Sequence, residues 1–117
     1  MRYALLINAV EATEPEPGSK VAEDRMEVYA AFTQDLVASG SFVAGERLRP
    51  TATATTVRTR DGKDLITDGP FAETHEQLAG FYLVECKDLD EAIACAKRIP
   101  AAATGSIEVR PIWEMGD

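Results

Sequence analysis

Residues 3 to 9, Tyr-Ala-Leu-Leu-Ile-Asn-Ala, form a short run that is apolar at almost every position. Such a run suits a strand covered on both faces better than one alternating between core and water. Glu11 to Lys20 then mixes acids with Pro15, Pro17 and Gly18, which is loop chemistry. From Val21 to Ser39 the period changes. Ala22, Met26, Tyr29, Phe32 and Leu36 recur at helical spacing, with Val28 and Ala31 widening the stripe. Ser19 is placed to cap this helix, and Glu23 and Asp24 sit where its dipole favours acids. Gly40 marks its end.

After the helix, Ser41 to Pro50 reads as an extended connection. Thr53 to Thr59 is rich in β-branched residues, and Asp61-Gly62 separates it from a second short run, Asp64 to Thr67. Asp-Gly between β-prone runs is a hairpin signal. Ala79 to Cys86 reads as the next strand. Asp88 and Glu91 have capping-box spacing and open a helix through Ala92, Ile93, Ala96 and Ile99, which Pro100 ends. Ser106 to Trp113 supplies the last strand. Residues 1–117 therefore read as one α+β domain, with four main strands and two helices in the ferredoxin-like β-α-β-β-α-β order. The sheet is antiparallel and both helices lie on one of its faces. The second strand is expected within Thr53 to Thr59.

Alternation assigns the faces. Ile107, Val109 and Val57 are expected beneath the helices, while Glu108, Arg110 and Arg58 share the opposite face. Tyr3, Leu5 and Ile7 alternate with Ala4, Leu6 and Asn8, and Phe81 and Leu83 alternate with Tyr82 and Val84. Both faces of these strands are thus apolar. Left bare, such a sheet exposes an apolar patch, and a second copy of the chain is the simplest cover. The expected homodimer encloses a space of mixed polarity, where small molecules bind.

Composition narrows the partners. Twelve basic and twenty acidic residues give a net charge of −8, which repels phosphate backbones and argues against nucleic acid. Cys86, Cys95 and the single histidine, His75, lack metal-site spacing, so the cysteines read as small buried hydrophobes. No run approaches the ~20 apolar residues of a membrane span. The apolar run after Met1 has neither the length nor the cleavage site of a signal peptide, so a cytoplasmic location with no membrane partner is expected. Phosphate-binding glycine loops, nucleophile elbows and zinc signatures are absent from the sequence.

With these segments in place, the chain resembles the YCII-related family in its DGPF subgroup, along nearly its whole length. The resemblance rests on Arg2-Tyr3-Ala4-Leu5-Leu6-Ile7, on Gly45-Glu46-Arg47-Leu48 with Pro50, and on Ala54-Thr55-Thr56-Val57-Arg58. Its most specific stretch is Thr67-Asp68-Gly69-Pro70-Phe71-Ala72-Glu73-Thr74. It continues through Glu76-Gln77-Leu78, Gly80-Phe81-Tyr82, Asp88-Leu89-Asp90-Glu91-Ala92 and Ile107-Glu108-Val109-Arg110-Pro111. This resemblance implies a dimeric α/β barrel built from two ferredoxin-like units. It implies no general activity, although the wider superfamily includes lactone isomerases and dehydrochlorinases, and DGPF-type domains also occur beside sigma factors of the extracytoplasmic-function type. Two departures stand out. The first helix lacks the histidine that often pairs with the aspartate matching Asp68, and His75 replaces the usual lysine.

The candidate site centres on Asp68-Gly69-Pro70-Phe71. The plain reading is a turn, since Asp and Gly are turn formers and Pro70 restricts Gly69. The functional reading presents the Asp68 carboxylate to the enclosed space as an acid or base, with Phe71 packed beneath. Histidine is the side chain best suited to proton transfer near neutral pH, so His75 is a weaker proton-transfer candidate against a solvent-facing reading. Thr74 and Gln77 have the spacing of a capped helical turn. Arg58 and Arg110 either clamp an anionic ligand or form ion pairs with Glu108 or Glu46. Tyr29 and Tyr82 read first as core or interface; Tyr82, Glu108 and Phe71 join the candidate ligand-binding set. The leading expectation is a small-molecule binding protein or enzyme whose isomerisation, elimination or lactone chemistry needs only proton transfers and no cofactor. The competing expectation is a noncatalytic regulatory or interaction domain associated with a sigma-factor system.

Overall fold

The computed structural model describes residues 1–116. Four strands form one antiparallel sheet: β1 (Arg2–Ala9), β2 (Phe42–Arg47), β5 (Gln77–Glu85) and β6 (Ser106–Pro111), in the order β2-β5-β1-β6. Two further strands, β3 (Thr55–Arg60) and β4 (Lys63–Asp68), pair only with each other. The helices α1 (Lys20–Ala38) and α2 (Leu89–Lys97) complete the fold. The four-stranded order with two helices on one face is the ferredoxin-like arrangement, with β3–β4 added between β2 and β5.

This corrects one sequence expectation. The second sheet strand is not the Thr-rich run but Phe42–Arg47, inside the stretch read as a connection. A register shift between Phe42 and Ala44 disturbs the alternation that would have marked it. Gly45 has a structural purpose there: a Cβ at this position would lie 2.8 Å from Cδ1 of the Tyr82 ring. The Asp61-Gly62 turn is present, with positive φ at both residues (52° and 74°) and Arg60 paired to Lys63 across it.

Local signals set the helix ends. Ser19 Oγ accepts from the Ala22 N–H at 3.2 Å, and Asp88 Oδ1 accepts from the Glu91 N–H at 2.9 Å. On α1 the buried contacts are Phe32 and Leu36, whereas Met26 and Val28 are about half exposed at 54% and 50%. The helix therefore uses a narrower stripe than its sequence offers.

The core lies between the helices and one sheet face. Tyr3, Leu5 and Ile7 of β1 and Tyr82 and Val84 of β5 meet Phe32, Leu36, Ala92, Ala96 and Ile99 there. Ile107 and Val109 pack against the same cluster, as alternation requires. Phe32 and Tyr82 meet edge to face with ring centroids 5.2 Å apart, and the Tyr82 hydroxyl is 2.8 Å from the Thr33 hydroxyl. Val57 is not in this core. It stands 64% exposed on β3.

Candidate functional site

The sheet face away from the helices carries Ala4 and Leu6 of β1 opposite Leu83 and Phe81 of β5. On the other flank the same two β1 residues oppose Arg110 and Glu108 of β6. Ala4, Leu6, Phe81 and Leu83 are only partly buried, in contrast to the buried alternates Tyr3, Leu5, Tyr82 and Val84. Arg110 and Glu108 form an exposed ion pair, Nε to Oε2 at 3.2 Å. This face is thus an apolar centre with one charged flank.

The DGPF segment lies elsewhere. Asp68 closes β4 opposite Thr55 and is exposed. Gly69 takes φ +98°, a backbone shape that favours glycine, and its N–H donates to the Ala54 carbonyl at 2.7 Å. Thr56 Oγ1 donates to the Gly69 carbonyl at 2.7 Å, and Arg58 Nη2 donates to the Phe71 carbonyl at 3.1 Å. The chain therefore bends at Gly69 directly after β4, with Asp68 still paired in the strand. Phe71 packs beneath nothing in the single chain, being 75% exposed.

Apart from His75, the candidate residues fall into three places. Glu108 and Arg110 sit on the open face; Arg58, Asp68, Gly69, Pro70 and Phe71 belong to the β3–β4 hairpin and its base; Tyr82 is buried on the helix side. Arg58 and Arg110 thus do not share a sheet, because the strand carrying Arg58 is outside it. Arg58 holds a backbone carbonyl instead of a carboxylate. His75 is exposed, and its side chain has no hydrogen bond or ion pair among the described residues. The Thr74 turn is not helical: Thr74 Oγ1 donates to the Glu76 carbonyl, and Gln77, already in β5, donates from its amide to the Thr74 carbonyl.

One positioning residue escaped the sequence reading. Glu11 accepts from both the N–H and the hydroxyl of Thr51, each at 2.8 Å, and its own N–H donates to Gln77 Oε1 at 2.9 Å. It fastens the chain just before β3 to the end of β1. Its only sequence signal was an acid in a loop.

Other polar features serve the fold. An open groove of about 400 Å³ between α1 and the end of α2 is bordered by Arg25, Lys97 and Arg98. Arg25 is already paired with Glu14 and Arg98 with Asp35. Among the described residues no cluster of three or more His, Cys, Asp or Glu side chains is arranged to hold a metal ion. No helix of the described chain is long and apolar enough to cross a membrane.

Cys86 is buried and Cys95 is half-buried against the same core. Burial, reinforced by the neighbouring Cys95, pushes the Cys86 thiol up to about 11. Its neutral form is therefore favoured by folding. This contribution is fully present below the ordinary thiol range near 9 and is lost as pH rises through about 11, because the unfolded chain ionises first. Chemical denaturation of the wild type should lose stability between those two pH values, and Cys86→Ala should flatten that loss. A wild-type curve as flat as the variant's would contradict the assignment.

Comparison with known proteins places the whole chain. The profile of the YCII-related domain matches residues 1–116. An uncharacterised protein of Rhizobium meliloti (strain 1021) is 40% identical over 114 residues, covering 96% of this chain and 92% of the relative.

Proposed function

Because the chain belongs to the YCII-related domain family, and within it reads as a DGPF-type member on the Thr67 to Thr74 run, we propose that it acts as a homodimer that binds a small organic anion in the space between two sheets. The observation supporting this reading is the open sheet face. A strip of partly buried apolar residues, Ala4, Leu6, Phe81 and Leu83, lies beside the charged pair Arg110 and Glu108. An apolar face of this kind favours a cover, and a two-fold copy provides it with a self-complementary surface. Enclosure turns an exposed ion pair into a polar anchor in an otherwise apolar chamber.

The roles follow from chemistry. Arg110 offers a guanidinium fork to a carboxylate, and Glu108 orients that fork. Asp68 is the candidate acid or base for any accompanying proton transfer, which requires no cofactor. The test uses saturation-transfer NMR with a panel of short aliphatic and aromatic carboxylates. Wild-type protein should bind at least one member, and Arg110→Gln should weaken that binding by about tenfold or more, as expected for a lost charge-assisted hydrogen bond. Asp68→Asn should leave binding within about twofold if its role is proton transfer. Equal binding by wild type and Arg110→Gln would overturn the anchor.

A further inference from the structure

The β3–β4 hairpin is a shaft without a seat. Every residue of β4 is exposed, and Val57, Leu65 and Ile66 are 64%, 48% and 71% exposed. A chain of this length packed as a globule has a radius of gyration of ~13 Å. This one has 16.2 Å, in a flat body of 47 × 46 × 19 Å. Two-stranded hairpins standing alone are marginal in water. The root of this one is nevertheless fixed, by the Glu11–Thr51 bonds and by the Gly69 N–H on the Ala54 carbonyl.

Its charges are sorted. Cross-strand pairing puts Thr56, Arg58 and Arg60 on one face with Thr67, Leu65 and Lys63. The other face carries Thr55, Val57 and Thr59 with Asp68, Ile66 and Asp64. The cations thus share one side, and two of the three acids share the other. None of Arg58, Arg60 and Lys63 forms an ion pair with a carboxylate among the described residues. Because three basic and three acidic residues cancel within 55–68, the rest of the chain carries the entire −8.

We infer that this hairpin is an arm that reaches a second copy of the chain and lays its cationic face on that copy's acidic body. The charge complementarity is built into one sequence: an acidic body that repels its like, and a neutral arm with a sorted basic face that does not. Docking also carries Phe71, whose carbonyl Arg58 holds, toward the partner, while the Asp68 side chain stays on the opposite face of the arm. The candidate site then draws on both chains. This inference rests on the homodimer proposed above.

The test separates the two readings. Sedimentation equilibrium of full-length wild type and of the double variant Arg60→Glu/Lys63→Glu, at low and high salt, reads the dimer constant. A photo-crosslinking residue at position 65, in a mixture of isotopically heavy and light chains, reads whether the arm touches the other copy. The expected result is a wild-type dimer, heavy-to-light crosslinks, and a dimer constant weakened by about tenfold in the variant at low salt, with the difference shrinking as salt rises. A wild-type dimer with an unchanged variant and crosslinks confined to one chain overturns the arm and leaves the sheet-face dimer standing. A monomeric wild type overturns both.

Discussion

Leu83→Asp should abolish the proposed dimer without unfolding the chain. Leu83 sits on the open face opposite Ala4, in the middle of the apolar strip, and outside the helix-covered core. In a lone chain the new carboxylate reaches water from a position that is already partly exposed, so the fold tolerates it. In a face-to-face dimer it is trapped without a partner charge. An uncompensated buried charge costs about 3 kcal/mol or more, which is at least roughly a hundredfold in the dimer constant. Light scattering at micromolar concentration should give half the wild-type mass, with an unchanged far-ultraviolet circular dichroism spectrum. If the variant keeps the wild-type mass, the open face is not the interface.

The second large effect lies on the other side of the sheet. Phe32 is 1% exposed, meets Tyr82 edge to face, and has the Arg98 guanidinium 5.1 Å from its ring centroid. Truncation to alanine removes the ring, leaves a cavity in the core cluster, and strands Tyr82 without its nearer aromatic neighbour. Phe→Ala at such sites costs about 3–5 kcal/mol. Against the ~5–15 kcal/mol that holds a small domain together, this is a large share. Thermal unfolding should drop by on the order of 15 °C. Tyr82→Phe removes only the hydroxyl bond to Thr33 and should cost about 1 kcal/mol. A Phe32→Ala protein as stable as Tyr82→Phe would mean that the core lies elsewhere.

How far the sequence carried the structure depends on whether local or distant forces decided each element. Helix α1 starts and stops where Ser19 and Gly40 indicate, and the Asp61-Gly62 hairpin forms where its dipeptide stands. These features depend on a few adjacent residues. In Phe42–Arg47 a bulge breaks the alternation, and pairing with distant β5 rather than its own residues makes it a strand. The Thr-rich run has the stronger strand propensity, yet it forms an arm outside the main sheet. That exchange separated Arg58 from Arg110 and moved Val57 from the expected core to the surface. The change of direction after Asp68 is legible from Gly69 and Pro70. What Phe71 faces was not, since no residue within the chain covers it. Glu11 stayed hidden because its value comes from Thr51 and Gln77, forty and sixty-six positions away.

The two rims of the four-stranded sheet bear on how large an assembly can grow. Unpaired strand margins invite endless lateral addition unless something interrupts their hydrogen-bonding ladder. Here β2 is kinked by the irregularity at Phe42 and Ala44, and β6 ends in Pro111, which has no N–H to offer. Charged Glu108 and Arg110 stud that same margin. Both flanks therefore resist recruiting further chains into fibrils, which leaves the broad face as the surface on which the proposed pairing would close.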